Sequence, residues 1–349
     1  MTKLAFTRDL LDWNVRQRLL QNPKVRIGEK ADVVGLEPSA DGRGIRGVIL
    51  NDTIIEADLV VDASGRGSRL PQWLRELGFD APEEVRVNAH PGYASRLYEP
   101  PAGFTTDWRA VYMQAAPPRL PRLGVIFPVE GHRWLVTLAG GGSKHHPPTD
   151  EAGFLAFARS LPSPLIYDAI AQARPLTEIA TTRSGENRLR RYDRLARWPG
   201  GLIVLGDAVC AFNPVYGQGM TVAALQALAL QQALGQKPHP DTQGFQKEVA
   251  KIVALPWTLA TSEDSRYEDT EGALMDRRTR LMHRYMDSVL ALATEQVNVR
   301  RTLLELQHML KPPSTLFGPK ILSQVLLHSV PRSNNNNGII NVQEVQAVR

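Results

Sequence analysis

The pattern of apolar and polar positions predicts a helix near the start of the chain. Leu10, Leu11, Val15, Leu19 and Leu20 fall on one side of a helix that runs from position 8 to about 20. Thr7 is a residue type that caps helix N-termini, and the pair Asn22-Pro23 ends the pattern.

Short apolar runs separated by turn residues predict strands in the next segment: Lys24–Ile27, Asp32–Leu36, Ile45–Leu50, Thr53–Glu56 and Leu59–Asp62. The pair Asp41-Gly42 is typical of a hairpin turn between two of these strands. The block Leu59-Val60-Val61 is continuously apolar, which indicates a strand buried on both faces of a parallel sheet.

From Val85 to Leu138 the pattern changes to strands interrupted by proline, which predicts a second, mainly antiparallel sheet. Its expected strands are Gly92–Tyr98, Trp108–Ala115, Leu123–Pro128 and Arg133–Leu138. Thr149 is expected to cap a short helix over Asp150–Ser160. We expect this sheet region to close near Glu178–Thr182.

Leu202–Leu205 again has the composition of a buried parallel strand, and a glycine-rich loop and a helix over Thr221–Leu234 follow it. The remainder to about Ser333 is expected to be helical, with a frayed, asparagine-rich tail. These patterns predict an α/β (α+β) fold with an incomplete parallel sheet, an inserted antiparallel sheet and a helical C-terminal region. The expected divisions are 1–82 and 184–240 for the two segments of one domain, 83–183 for the inserted sheet, 241–333 for the helical region and 334–349 for the tail.

Composition excludes several classes of protein. The 349 residues are 43% apolar and 22% charged, and the net charge is only +5 with scattered arginines, so a nucleic-acid surface is not expected. The single cysteine excludes an internal disulfide. No apolar run approaches the roughly 20 residues of a membrane span, and the start of the chain lacks a signal-peptide pattern, which favours the cytoplasm. His145-His146 has no further ligands at metal-site spacing, so no metal is expected.

The segment Gly201–Leu230 carries the strongest functional signal. Asp207 follows the carboxyl end of a buried strand, where ligands of open α/β sheets bind. A carboxylate there can accept hydrogen bonds from the hydroxyls of a sugar or ribityl chain. Gly217 and Gly219 let the backbone approach a flat ligand, and the helix that begins near Met220 directs its N–H groups and positive dipole end at that ligand.

Other candidates have a structural alternative. Taken singly, Gly206, Asp207 or Pro214 would indicate only a strand–turn–helix unit whose glycines fit a tight bend. Cys210 is more typical of a small apolar filler than of a nucleophile. The aromatic residues on the inserted strands could line a substrate pocket or belong to a core, and the sequence leaves both readings open: Tyr93, Trp108, Tyr112 and Trp134.

Taken together, Gly-Asp-Ala at 206–208, Pro214 seven residues past Asp207 and Gly217-Gln218-Gly219 closely resemble the second FAD motif of para-hydroxybenzoate hydroxylase-like flavoproteins. Residues 59–69 are similar to the family's other internal motif, and Arg8 stands where the family has a flavin-contacting arginine. The resemblance spans roughly residues 6–235.

The resemblance implies a flavin domain built from separate segments, with the inserted sheet over the isoalloxazine ring. It implies that Asp207 binds the ribityl chain and that Pro214 and the Gly217–Met220 backbone face the ring. The cofactor-binding residues expected on this basis are Arg8, Gly65, Gly206, Asp207, Pro214, Gly217, Gln218, Gly219 and Met220. No residue is nominated as a catalytic acid or base.

The sequence departs from the family pattern in three places, one of which is Cys210, where many relatives have histidine. The Gly-x-Gly-x-x-Gly turn that holds the FAD diphosphate is missing, because Gly42–Gly47 satisfies the letters but precedes a strand rather than a helix. The chain is therefore expected to be a fragment or to have a decayed cofactor site. Ser64 replaces the usual aspartate, which puts direct reduction by NADPH in doubt.

The function expected from the resemblance is that of an FAD-dependent oxidoreductase, a monooxygenase that hydroxylates or epoxidises a small organic molecule. Its electron donor would be NAD(P)H or a reductase partner. One alternative is a flavin-dependent reductase of an alkene such as a prenyl chain. The other is a non-catalytic remnant without stable FAD binding.

Overall fold

A computed structural model describes residues 4–51, 53–236, 240–273 and 275–327. Its strands are β1 (Val33–Pro38), β2 (Ile45–Leu50), β3 (Thr53–Glu56), β4 (Val60–Asp62), β5 (Glu84–Val87), β6 (Gly92–Glu99), β7 (Val111–Met113), β8 (Arg122–Val129), β9 (Arg133–Gly140), β10 (Arg174–Pro175), β11 (Ala180–Thr182), β12 (Asn187–Arg190), β13 (Leu202–Val204) and β14 (Cys210–Ala211). Its helices are α1 (Arg8–Leu20), α2 (Leu70–Glu76), α3 (Glu151–Arg159), α4 (Leu165–Ile170), α5 (Gly219–Gln236), α6 (Thr242–Asp264), α7 (Arg277–Glu295), α8 (Val297–Gln307) and α9 (Pro319–Leu327).

The parallel part of the fold is the pair β4 and β13, in which Val60 lies beside Leu202 and Asp62 beside Val204. All three residues of β13 are completely buried, as its apolar run predicted. The expectation for β4 was wrong at Val61, which is 38% exposed. Val61 is exposed because its side chain points away from the core. In the described part of the chain, β13 is the one strand that pairs with β4.

The inserted region is an antiparallel sheet in the order β10-β6-β9-β8-β7, with β11 also pairing with β6. Helices α3 and α4 cover one face and bury apolar side chains such as Phe154 and Ile166. Trp108 and Trp134 pack against each other with ring centroids 5.7 Å apart. Both tryptophans are therefore core residues of this sheet.

Two smaller sheets complete the strand architecture. The hairpin β1-β2-β3 turns at Asp41-Gly42, where Gly42 takes a left-handed φ of 66° and the N–H of Ser39 donates to the Gly44 carbonyl at 2.8 Å. Because strand β2 follows this turn, the glycines at 42–47 do not form a diphosphate turn, as predicted. In the other sheet, β12 lies between β14 and β5.

The C-terminal region is helical as far as it is described. Helix α6 packs on the parallel pair through Phe245, Val249 and Val253. Helices α7, α8 and α9 share a separate apolar cluster around Leu292. In the described ranges, none of the helices combines the length and apolar character needed to cross a bilayer. The expected frayed tail, 334–349, lies outside the described residues.

Two local predictions were wrong. Residues 24–27 form no strand: Asn22 organises a turn in which its side chain accepts the N–H of Lys24 at 3.0 Å, and both apolar residues there stay at least one-third exposed. The cap of α3 is Asp150 rather than Thr149, because the Asp150 carboxylate accepts the N–H of Gly153 at 2.8 Å.

Helix α1 has the predicted bounds, and Thr7 caps it by accepting the N–H of Leu10. None of its residues is buried. Trp13 is 58% exposed, and Val15, Leu19 and Leu20 are similarly open to solvent. Thr7 also donates its N–H at 3.1 Å to Glu130, in the turn between β8 and β9, so the N-terminus of the helix is tied to the inserted sheet.

Candidate functional site

Two glycine-containing turns meet at the carboxyl ends of the parallel pair. Strand β4 leads into a 3-10 turn at Gly65–Gly67, and β13 leads into another at Gly206–Ala208. The two turns touch each other, and the N–H of Leu205 donates to the Asp62 carbonyl at 2.9 Å. The fold therefore brings together the two motifs that the sequence analysis identified separately. In open α/β sheets this edge is where ligands bind.

Asp62 fixes the first turn. One carboxylate oxygen accepts the N–H and the hydroxyl of Ser64 at 2.9 and 2.5 Å, and the other accepts the hydroxyl of Ser68 at 2.5 Å. The Ser64 side chain is thus engaged with its own turn. Gly65 has a left-handed φ of 80°, and a Cβ built there would meet no atom within 4 Å. The turn needs glycine for its backbone conformation and leaves open space beside it.

The second turn is held from behind by buried polar side chains. The N–H of Gly206 donates to Oε1 of Gln226 on α5 at 2.6 Å, and Arg190 donates to the Ala208 carbonyl at 3.1 Å. Gly206 also has a left-handed φ, of 61°. Asp207 is exposed, with Oδ1 at 3.8 Å from the position of a Cβ on Gly219. Its carboxylate is therefore open to a ligand next to the start of α5.

The loop before α5 has the shape expected of a surface for a flat ligand. Gly217 has a left-handed φ of 64° and no atom within 4 Å of a built Cβ. Pro214 and Met220 are exposed at either end of the loop. Helix α5 begins at Gly219, so the N–H groups of its first turn point out of the helix beside Asp207.

The hydrogen bonding of the Gln218 side chain indicates that a polar cofactor fits beside this loop. Its side chain is 7% exposed, and its Oε1 is buried with no hydrogen-bond partner among the described residues. An unpaired buried amide oxygen is costly, so a donor from a bound ligand would be favourable there. Together with the open faces of Gly65, Gly206 and Gly217, these residues fit the ribityl and ring end of a flavin.

A buried carboxylate lies under the loop. Asp264, the last residue of α6, is fully buried and accepts hydrogen bonds from Tyr216 Oη at 2.5 Å, Asn187 Nδ2 at 2.6 Å and Asn213 Nδ2 at 3.0 Å. Burial raises the pKa of Asp264 to about 6, while the hydrogen bonds from Tyr216 and the two asparagines oppose that shift. Tyr93 of β6 donates its hydroxyl to the Asn213 side-chain oxygen, which ties the inserted sheet to the loop.

Arg66 joins the first turn to the neighbouring sheet and to the start of the loop. Its guanidinium donates to the carbonyl of Glu186 at 2.7 Å and to the carbonyl of Phe212 at 3.1 Å. Arg188 in turn donates to the Arg66 carbonyl. The first motif and the start of the loop are thereby held in a fixed relation.

Arg8 is also a predicted site residue, but the structure shows no contact between Arg8 and this edge of the sheet. Its guanidinium pairs with Asp12 at 3.2 Å on α1, with both side chains more than half exposed. Helix α1 is instead linked to Glu130. The assignment of Arg8 to the cofactor stays a prediction.

Cys210 lies inside the fold, 1% exposed, and burial raises the pKa of its thiol far above its ordinary value. A buried, protonated thiol is a poor nucleophile. Of the aromatic candidates, Tyr93 reaches the loop, whereas Trp108 and Trp134 lie in the core of the inserted sheet.

Sequence reasoning missed the residues that support the loop. Asp264 lies in the polar stretch Ser262-Glu263-Asp264-Ser265-Arg266, whose composition is typical of an exposed helix end. Gln226 falls on the apolar helix α5, where a lone buried glutamine was a signal for a side chain with a specific partner. Asn187 and Asn213 carried no comparable signal.

Comparison with other proteins supports the same fold. No protein-family profile matches the chain. Protein Rv3254 from Mycobacterium tuberculosis is 38% identical over 241 residues, which is 65% of this chain and 49% of that protein. The matched region thus spans about half the length of this curated relative.

Two solved structures of low sequence identity superpose on most of the chain. PqsL from Pseudomonas aeruginosa, a probable FAD-dependent monooxygenase, matches with a TM-score of 0.54 at 18% identity, over 74% of this chain and 70% of that one. The flavin-dependent brominase Bmp2 matches with a TM-score of 0.52 at 13% identity, over 76% and 68%.

These similarities define the class to which the architecture belongs. The chain has the fold of the FAD-dependent monooxygenases and hydroxylases that resemble para-hydroxybenzoate hydroxylase. That fold accommodates oxygenation in one neighbour and bromination in another, so the chemistry of this chain has to be argued from its own residues.

Proposed function

We propose that this protein is an FAD-dependent oxidoreductase that acts as a monooxygenase on a small organic molecule. One observation carries the proposal: the Gly65–Gly67 and Gly206–Ala208 turns meet at the carboxyl ends of β4 and β13, beside the exposed Asp207 carboxylate and the start of α5. The unpartnered Oε1 of Gln218 supports it, since a polar ligand would satisfy that atom.

Each residue at this edge would have a defined task. Asp207 would accept hydrogen bonds from the ribityl hydroxyls, and the first N–H groups of α5 would stabilise negative charge at the pyrimidine edge of the ring. Pro214 and the backbone at Gly217 would lie against the ring and exclude water on that side. When bound, the flavin would supply the electrons with which dioxygen delivers one oxygen atom to the substrate.

We expect this chain to bind the ring and the ribityl end of the cofactor. The residues that fit a ligand surround Asp207 and Gly217, and the glycines at 42–47 form a hairpin that offers no helix N-terminus to a diphosphate. FMN, which lacks the adenosine, is therefore expected to bind with a dissociation constant within about threefold of that of FAD. A much tighter FAD complex would mean that other residues bind the adenosine.

Reconstitution tests the proposal. The purified chain is titrated with FAD and with FMN while quenching of flavin fluorescence and the visible absorbance band are followed. A saturable complex supports a flavin protein, and the absence of any complex with either flavin contradicts it. Substrate-dependent oxygen consumption, driven by NAD(P)H, a reductase partner or photoreduced flavin, would support oxygenation. Loss of a substrate double bond without oxygen would favour an alkene reductase. Bromination of an aromatic substrate would favour a halogenase.

A remnant domain without stable flavin binding is the second candidate, and helix α1 is the observation that favours it. The apolar side chains of α1, including Trp13 and Leu19, face solvent. Exposed apolar surface of this kind is typical of a domain that has a further packing partner. A melting temperature that saturating flavin fails to raise would support the remnant.

A further inference from the structure

A single buried side chain lies at the centre of the polar contacts beneath the loop Asn213–Gly219. Asp264 is 0% exposed. It accepts hydrogen bonds from Tyr216 Oη at 2.5 Å and from the amides of Asn187 and Asn213 at 2.6 and 3.0 Å. The donors come from two separate chain segments, strand β12 and the loop, so the carboxylate joins both of them to the end of α6.

The same contacts continue into the inserted sheet. The Asn213 side-chain oxygen accepts the hydroxyl of Tyr93 on β6, and the N–H of Val215 lies 3.3 Å from that hydroxyl. The N–H of Asn213 also donates to the Asn187 side-chain oxygen at 2.8 Å. Both ends of the Asn213 side chain and its backbone are thus fixed, at the residue immediately before Pro214.

These contacts explain why a charge is kept in the interior. An ionised carboxylate offers about four acceptor positions, enough for three donors from other elements, whereas an amide at the same place would offer one oxygen with two acceptor positions and add two donors. Asp264 is also followed by a turn in which its own carbonyl accepts the hydroxyl of Thr270 at 2.5 Å. A buried carboxylate of this kind contributes to a unique geometry, because its burial is unfavourable unless every donor is in place.

We propose that Asp264 is a positioning residue for the cofactor site: through Tyr216 and Asn213 it holds the Pro214–Gly217 turn in the one conformation that lies flat against a flavin ring, and through Tyr93 it aligns the inserted sheet with that turn. The cofactor part of this inference rests on the proposed function. The positioning of the loop does not, since the contacts are within the protein.

Hydrogen exchange in the flavin-free chain tests the positioning of the loop separately from flavin binding. Asp264→Asn keeps the size of the side chain, but its single amide oxygen can accept at most two of the three donors, and its NH2 group then faces the third donor. We expect amides of residues 213–219 to exchange at least about tenfold faster in Asp264→Asn and about threefold faster in Tyr216→Phe, with β9 and α8 unchanged. Glu268→Gln, four residues further along and exposed, is the matched control and should leave all rates unchanged.

The flavin complex supplies the second readout. At saturating flavin, the visible circular dichroism of the bound ring reports its orientation, which a general loss of stability would not alter. We expect this spectrum to change in Asp264→Asn and Tyr216→Phe, with dissociation constants raised about tenfold and threefold, and to stay the same in Glu268→Gln.

Wild-type exchange rates at 213–219 in both network variants would overturn the proposal, as would a uniform rise across the whole chain. If Asp264→Asn does not fold, Tyr216→Phe decides the matter alone. If the wild-type chain binds no flavin, the proposed function fails, and faster exchange at 213–219 in the variants still supports the positioning role.

Discussion

Oε1 of Gln226 accepts a hydrogen bond from the backbone N–H of Gly206 at 2.6 Å, although the two residues lie 20 positions apart. Gln226 is fully buried in helix α5, and its Nε2 has no partner among the described residues. Helix α5 begins at the candidate site, and about two turns further along its Gln226 also holds the turn that presents Asp207.

Gln226→Leu should loosen that turn. The half-buried N–H of Gly206 would lose its acceptor, which costs about 0.5–1.5 kcal/mol of unfolding free energy. Urea denaturation measures this loss, and flavin affinity should fall with it because Asp207 is next in the chain. Gln232→Leu on the exposed side of the same helix is the control. Equal stability of the two variants would mean that the Gln226 contact contributes little.

Asp207→Ala should weaken flavin binding much more than it changes stability. Asp207 is exposed, and its proposed bonds to ribityl hydroxyls are charge-assisted, each worth about 1.5–3 kcal/mol. Losing two of them raises the dissociation constant roughly a hundredfold or more. Asp207→Asn keeps one acceptor oxygen and should fall between. A dissociation constant unchanged in both variants would contradict the role of this loop.

Substitutions at the two loop glycines should separate backbone strain from ligand approach. Gly217 has a left-handed φ of 64°, so Gly217→Ala should reduce both stability and flavin binding, by about 1 kcal/mol in stability. A Cβ on Gly219 would meet only Asp207 Oδ1 at 3.8 Å, an ordinary contact. Gly219→Val should therefore fold normally and lose flavin affinity only, as titration and thermal melting can show. Full affinity in Gly219→Val would mean that no ligand approaches there.

Cys210 should behave as an apolar core residue. Burial raises the pKa of its thiol well above neutrality, and its side chain is 1% exposed. A thiol reagent should label it only once urea unfolds the chain, and Cys210→Ala should leave any turnover within a few-fold. Rapid labelling of the folded protein, or loss of turnover in Cys210→Ala, would make the thiol a catalytic candidate again.

Local sequence signals predicted the local structure well. The bounds of α1, β2 and β3 match the predicted ones, because capping, hairpin turns and short-range periodicity determine these elements. The expected strand at 24–27 failed since a strand also needs a neighbour to pair with, and Asn22 forms a turn instead. The motif around Asp207 was readable because a glycine turn and a helix start lie within a few residues of each other.

The contacts that support the site could not be predicted from local sequence signals. Asp264 meets Asn213 and Asn187 across separations of 51 and 77 positions, and nothing in the local composition marks them as partners. Tyr93 reaches the loop across 120 positions. Such contacts follow from the packing of separate elements, so a pattern along the chain identified the loop but not the residues that fix it.

The raised pKa of Asp264, about 6, has a consequence for the pH dependence of stability. The folded state disfavours ionisation of this carboxyl relative to the unfolded state, so its contribution to stability is greatest below the unfolded pKa of about 4 and is lost as pH rises through about 6. The groups that face it are Tyr216, Tyr93, Tyr267 and Glu263, and burial raises the pKa of each of the three tyrosines, which therefore stay protonated in this window. We therefore expect the unfolding free energy of the wild type, relative to that of Asp264→Asn, to fall by roughly 2–3 kcal/mol from about pH 4 to about pH 7.5.

Urea denaturation of both proteins across this range measures the difference, and Glu263→Gln tests whether the neighbouring carboxylate contributes. A difference that stays constant with pH would mean that Asp264 ionises in the folded protein as readily as in the unfolded chain, and that the three donors fully offset its burial.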